Sequence, residues 1–327
     1  MSRTPEKATL KRFAIKNVVR EAETDPDRIL LYGEEGIGKT TFGSEAPKPI
    51  FLPTEVRFRG IEVDRMPRIE SWDDMLAALT VVEEEKHDWQ TICVDTLDAL
   101  EPLIHDVVCE REGWESIGEP GWRKGEQAAV ELWREFLVRI DRIRLNRKME
   151  VILLAHGRLG NFKDPESEGW QFWEPAIDKA AYGLFGQWAD SILFGQFERF
   201  AVKLGKGKGA KRVGRSSGRR VLRTRPSATW RAKDTYGLPP ELPMSYHDYV
   251  AARGAGQPKP SAELWAELEE LLGMLPEDVR AEREPALRKY AEQSSRNLAA
   301  AVERVRQAVS EYVEDADEDE TQSTEES

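Results

Sequence analysis

Only two cysteines occur in the 327 residues, Cys93 within an apolar strand-like run and Cys109 within a helix-like one. That excludes a disulfide framework and a four-ligand zinc site, each of which needs more ligands at recognisable spacing, and it suits reduced core thiols. The amino terminus, MSRTPEKATLKRF, has no apolar signal core. No run approaches the roughly 18 apolar residues of a membrane span. The expectation is a cytoplasmic protein with no membrane partner. Basic residues are also in deficit, 48 against 60 acidic, for a net charge of −12. The deficit is local, however. Glu314 to Ser327 carries eight carboxylates and no base, whereas Val202 to Arg225 carries ten Lys or Arg and no acid. Such segregation decides what each part can attract more than the total does.

Against these absences one stretch stands out, Arg28 to Ala46, RILLYGEEGIGKTTFGSEA. Within it Gly33, Glu34, Glu35, Gly36, Ile37, Gly38, Lys39 and Thr40, followed by Thr41, satisfy G-x-x-x-x-G-K-[ST] between an apolar strand and a helix start. Glycines let the backbone N–H groups curl inward onto an anion, and the next helix adds its positive end. Lys39 is then expected to reach the β- and γ-phosphates of ATP, and the Thr40 hydroxyl to ligate Mg2+. Asp95, closing the apolar run Thr91 to Asp95 one strand–helix unit later, is the expected second magnesium residue. Thr96 follows it, so no glutamate there can act as the base.

The rest of the chain supports an α/β fold. Apolar runs Arg28 to Tyr32, Pro49 to Glu55, Thr91 to Asp95, Val151 to His156 and Ser191 to Phe194 alternate with helical patterns. The helix of about Glu126 to Arg147 buries Ala129, Leu132, Trp133, Phe136, Leu137, Ile140 and Ile143 on one face. Alternation of this kind implies a mostly parallel sheet covered on both faces, with ligands at the carboxyl ends of strands, where Gly33, Glu55, Asp95 and His156 fall. Strand-like hairpins follow from Phe197 to Tyr236. The expected organisation is an N-terminal extension (1–27), an ATPase core (28–252), a Gly/Pro-rich linker (253–260), a helical module (261–313) with Leu298, Val302, Val305, Val309 and Tyr312 on one face, and a disordered acidic tail (314–327).

GEEGIGKTT, the strand ending Pro53-Thr54-Glu55, VDTLDAL from Val94 and the strand ending Leu154-Ala155-His156 together resemble the core of RecA-type recombinase ATPases, and more closely the short phage-encoded RecA-like ATPases of single-strand annealing. The resemblance spans about Arg28 to Pro240. It implies that Glu55 is the general base, although Pro53 and Val56 replace the usual Asp and Gly, and that His156 is the γ-phosphate sensor in place of the common Gln. It implies two loops on single-stranded DNA, one at Arg111 to Lys124 with Arg123 and Lys124, the other at Arg158 to Asp178 with Arg158 and Lys163. It further implies a cation, Lys233 or in reserve Arg231, that reaches the neighbouring subunit's nucleotide in a ring or filament. The basic hairpin with Lys206, Lys208, Lys211, Arg212 and Arg215 is the strongest electrostatic candidate for DNA.

The resulting expectation is a Mg2+-dependent, DNA-stimulated ATP hydrolase that promotes annealing or strand exchange, is phage-encoded, forms homo-oligomers and has a single-strand-binding protein as a further candidate partner. Two alternatives stay open. One is a helicase or helicase loader on the same core, and the other a nucleotide-gated interaction protein with no DNA role.

Overall fold

The computed structural model describes residues 25–55, 58–162, 169–204, 211–256, 261–291, 298 and 301–309, with backbone alone for 162, 200–204, 211–216, 254–256, 261–263, 278 and 282–283. The described chain forms two compact units that divide after Ala252.

The first unit is built on one sheet. Its strands are β1 (Arg28–Gly33), β2 (Pro49–Pro53), β3 (Asp64–Arg65), β4 (Thr91–Asp95), β5 (Glu150–Phe162), β6 (Trp170–Pro175), β7 (Ser191–Leu204), β8 (Lys211–Arg223) and β9 (Glu241–Pro243). The spatial order is β3-β2-β4-β5-β1-β7-β8-β9, with β6 pairing β5. From β3 to β7 every neighbour is parallel, whereas β7–β8, β8–β9 and β5–β6 are antiparallel. This is the mostly parallel α/β fold of P-loop NTPases.

Strands buried on both faces read as continuous apolar runs, which explains RILLYG and TICVD. Leu30, Tyr32, Ile92, Val94 and Leu153 face one core cluster, and their alternates Ile29, Leu31, Cys93, Ile152 and Leu154 face another. Helices α2 (Trp72–Glu84), α3 (Leu97–Glu112), α4 (Lys124–Arg147) and α5 (Lys179–Trp188) fill the first face with Trp72, Leu79, Leu100, Trp133, Phe136 and Phe185. On the second, α1 (Lys39–Ser44) contributes Phe42 and α6 (Tyr246–Gly256) contributes Tyr246 and Tyr249. Ser71 caps α2 by accepting from the Asp74 N–H at 3.1 Å, while Asp74 accepts from the Glu70 N–H at 3.0 Å.

Two stretches depart from the sequence expectation. Beyond His156, β5 continues to Phe162 and pairs with β6, Gly157 against Pro175 through Phe162 against Trp170. The stretch read as a DNA loop is therefore largely a β arm leading into α5, stabilised by the buried Glu174 that meets both Arg158 (3.4 Å) and Arg231 (3.3 Å). The strand-like hairpin expected from Phe197 is present, as β7 runs past Phe194 to Leu204 in a long antiparallel pair with β8. Finally α6 extends to Gly256, into the stretch read as linker. The acidic tail and the extension up to residue 24 lie outside the described residues.

The second unit has its own core. Helices α7 (Ser261–Gly273) and α8 (Glu277–Ala291) contribute Leu264, Leu268, Leu272 and Ala291, which pack with Leu298, Ala301, Val302 and Val305.

Candidate functional site

Four parallel strands end at one place. β1 delivers the glycine loop, β4 delivers Asp95, β2 leads into Glu55 and β5 carries His156. Because β5 lies between β1 and β4, His156 stands in register with Gly33, two residues beyond the Leu154 that pairs with Asp95. One cavity of about 370 Å³ is lined by Gly36, Gly38, Lys39, Thr40, Thr41, Glu55, Asp95, Thr96, His156 and, from the far side, Arg220.

The loop is held by sequence features that only glycine permits. A Cβ on Gly33 would stand 2.2 Å from the Gly195 carbonyl oxygen of β7, and Gly38 has φ +106°, in the left-handed region. Glu34 ties the loop to β7 by its backbone N–H to Gly195 O (3.2 Å) and by its carboxylate, which accepts from the Phe197 N–H (3.2 Å) and pairs with Arg199. Glu35 points to solvent and Ile37 is fully buried. The Lys39 ammonium, buried to 7% exposure, donates to the carbonyls of Glu34 (3.1 Å) and Gly33 (3.4 Å). Burial pulls its pKa below the usual lysine value, an effect opposed by Asp95, Asp98, Glu35 and Glu55.

Thr40 donates its hydroxyl to Asp95 Oδ2 at 2.7 Å. Burial raises the Asp95 pKa, against the pull of Thr40 and Lys39. A hydroxyl and a buried carboxylate side by side form a hard-oxygen pair that suits Mg2+ and its water shell. These two residues would hold the ion, which supplies positive charge to phosphate oxygens.

Glu55 follows β2, its N–H directed at Asp95 O (3.3 Å) next to the Thr54 N–H on the same oxygen (2.9 Å). Its Oε1 is 4.0 Å from His156 Nδ1. His156 is oriented by Asp98, which accepts both its backbone N–H (2.8 Å) and its Nδ1–H (2.8 Å). The hydrogen bond to Asp98 raises the His156 pKa despite partial burial. In Asp98 burial pushes upward, but the bonds from His156 prevail and lower the pKa. Glu55, Asp98 and His156 bring a ligand atom each within 4.8 Å of one another. Since Asp98 and His156 already satisfy each other, the cluster reads as a positioning network in which Asp98 fixes the tautomer and leaves Nε2 to the cavity.

Other expected residues lie elsewhere. Lys233 is engaged within its own chain: its backbone pairs with Ile192, and its ammonium donates to the carbonyls of Gly186 (3.1 Å), Gln187 (3.2 Å) and Ala189 (2.5 Å) at the end of α5. Arg231 lies over the rings of Phe172 (4.7 Å) and Tyr182 (4.9 Å) and pairs with Glu174. Within the chain, then, the α5 carbonyls engage Lys233, and Glu174 and two aromatic rings engage Arg231. Arg123 and Lys124 open α4; Arg123 pairs with Asp178, and Lys124 is exposed. Beside them Trp122 is 92% exposed, with φ +51°. Arg158 is spent on Glu174. Lys163, Lys206 and Lys208 lie outside the described residues; Lys211, Arg212 and Arg215 are placed on β8 by backbone alone.

Sequence reasoning missed Asp98, and it placed Arg220 only in the basic stretch read as a DNA surface, not at this cavity. Asp98 had a signal, its place three residues after Asp95 in the first turn of α3. Arg220 had none, because only the β7–β8 pairing brings it to the loop.

A glycine loop with its lysine and threonine, a strand-end aspartate beside that threonine and an interposed polar strand end define the nucleotide site of a P-loop NTPase. A family model described as AAA domain, AAA_24, matches residues 25–236, and the chain belongs to that family. The SPbeta prophage-derived uncharacterized protein YorG of Bacillus subtilis (strain 168) is 33% identical over 134 residues, 39% of this chain and 40% of that one. The chain thus matches less than half the length of that relative. The flagellar accessory protein FlaH of Methanocaldococcus jannaschii overlaps 64% of this chain and 91% of its own at 11% identity and a TM-score of 0.29, too low to argue from. Among the described residues no helix is long and apolar enough to cross a membrane.

Proposed function

We propose that the protein hydrolyses ATP with Mg2+ and couples that hydrolysis to single-stranded DNA in phage recombination. The observation that carries the ATPase reading is the convergence on one cavity of Lys39, the Thr40–Asp95 pair at 2.7 Å, and Glu55 at 4.0 Å from His156. Lys39 binds phosphate, Thr40 and Asp95 hold the ion, and Glu55 takes the proton of the attacking water. His156, held by Asp98, offers Nε2 to the terminal phosphate.

The DNA reading is supported by the exposed Trp122 flanked by Arg123 and Lys124, a stacking ring beside cations, and by the acid-free basic run of the sequence from Lys203 to Arg215. The prophage origin of YorG supports the phage setting. Assembly as a ring or filament on the strand belongs to the same proposal. The test is steady-state ATP hydrolysis with and without single-stranded DNA across a salt series. Stimulation that fades steeply with salt is expected, and is reduced in Trp122→Ala. Hydrolysis indifferent to DNA at low salt favours a nucleotide-gated interaction protein, and directional unwinding a helicase.

A further inference from the structure

We infer that Arg220 is a nucleotide-contacting residue, delivered by β8 to the part of the site that ATP and ADP share. The inference rests on the nucleotide-site reading and adds a residue that lies outside the motif.

The arginines around it are already engaged. Arg219 pairs with Glu198 and Glu241, Arg223 pairs with Glu241 and lies over Trp230, Arg199 pairs with Glu34, and Arg225 donates to Leu238 O. Among the described residues no carboxylate lies within ion-pair distance of Arg220, which instead lines the phosphate-loop cavity with Lys39, Thr40 and Thr41. Its Nη1 stands 3.2 Å from the point a Cβ on Gly38 would occupy, with the Thr41 side chain 4.0 Å from the same point. An unneutralised guanidinium beside a loop of inward N–H groups is a planar, multi-donor partner for a phosphate.

Its placement is built in. Arg220 pairs with Phe197 of β7, whose N–H donates to the Glu34 carboxylate of the loop itself, and its carbonyl accepts from the Met244 N–H (3.3 Å). The strand that carries Arg220 is therefore tied to the loop it overhangs.

Topology fixes which part of the nucleotide it meets. The sheet order sets β4 and β2, with Asp95 and Glu55, on one side of β1 and β8 on the other. Thr40 faces Asp95, whereas Arg220 comes to the Gly38–Thr41 corner. The contact is thus to the α- or β-phosphate, away from the terminal phosphate and the attacking water.

The test is equilibrium titration with MgADP and with a non-hydrolysable ATP analogue, on wild type, Arg220→Ala, Arg220→Lys and Lys39→Ala, with folding checked by circular dichroism. Arg220→Ala is expected to weaken both nucleotides by the same factor, about tenfold or more for one charge-assisted bond, and Arg220→Lys to recover part of it. Wild-type affinity in Arg220→Ala, with binding lost in Lys39→Ala, overturns the inference alone. A loss confined to the ATP analogue overturns the assignment to the shared phosphates. No nucleotide binding by wild type overturns the site reading together with it.

Discussion

Replacing Asp98 by Asn removes the charge that organises His156 while leaving the shape of the side chain. The aspartate accepts two donors from the same histidine, the backbone N–H and Nδ1–H, each at 2.8 Å. An asparagine offers one carbonyl oxygen, so one donor must face its NH2 or the imidazole must move its proton to Nε2. Loss of a charge-assisted bond at this partly buried site costs about 1.5–3 kcal/mol. The sign of the pH dependence follows from both shifts. The raised His156 pKa contributes stability that is fully present below about 6.5, the unfolded value, and lost as pH rises through the folded one. The depressed Asp98 pKa contributes stability present above about 3.9 and lost as pH falls through its folded value. Wild type therefore loses stability on going from pH 6 to pH 8 through this pair, and Asp98→Asn should be less stable at pH 6 with a flatter profile above it. Urea denaturation at several pH values measures the first effect, and nitrogen–proton NMR of the imidazole reads pKa and tautomer. An imidazole in Asp98→Asn that titrates as in wild type, with Nδ1 still protonated, would refute the positioning role.

Two further substitutions test the frame around the site. Gly33→Ala places a Cβ 2.2 Å from Gly195 O, so β1 and β7 must separate and the Glu34 N–H bond to the same oxygen stretches; a loss of about 1–3 kcal/mol is expected, read as a lower urea midpoint together with weaker nucleotide binding. Glu150, at the start of β5, has its pKa raised by burial to about 7, against a hydrogen bond with Tyr246. A carboxyl whose folded pKa lies above its unfolded one loses stability between about pH 4.5 and 7, so Glu150→Gln should stabilise the protein at pH 8 by up to about 3 kcal/mol and have little effect at pH 4. Equal effects of that substitution at both pH values would contradict the burial argument.

The parts of the fold legible in the sequence are those that one interaction decides. RILLYG and TICVD are buried on both faces, so hydrophobicity alone marks them as central strands, and the glycine loop needs its residue types for backbone reasons that no context changes. The long helix around Trp133 and Phe136 shows its face directly, as do Leu298, Val302 and Val305 in the second unit. The β5–β6 arm was illegible because its charged residues neutralise one another: Glu174 is buried against Arg158 and Arg231, which reads in sequence as a solvated loop with spare cations. Helix α5 was hidden by Gly183 and Gly186 within ten residues. The same limit applies to the site. Asp95 and Glu55 sit at or just past strand ends that the alternating pattern locates, and Lys39 and Thr40 open the helix that the glycine motif announces, but the engagement of Lys233 by the α5 carbonyls and the approach of Arg220 across β7 depend on pairings between distant segments.

The most direct test of the account is single-turnover hydrolysis by Glu55→Gln, with ATP binding measured on the same protein. Because the amide keeps the shape of the side chain but cannot accept the water's proton, binding should match wild type while the hydrolytic step slows by about 10²–10⁴-fold. Wild-type turnover in Glu55→Gln would contradict the assignment of Glu55 as the base.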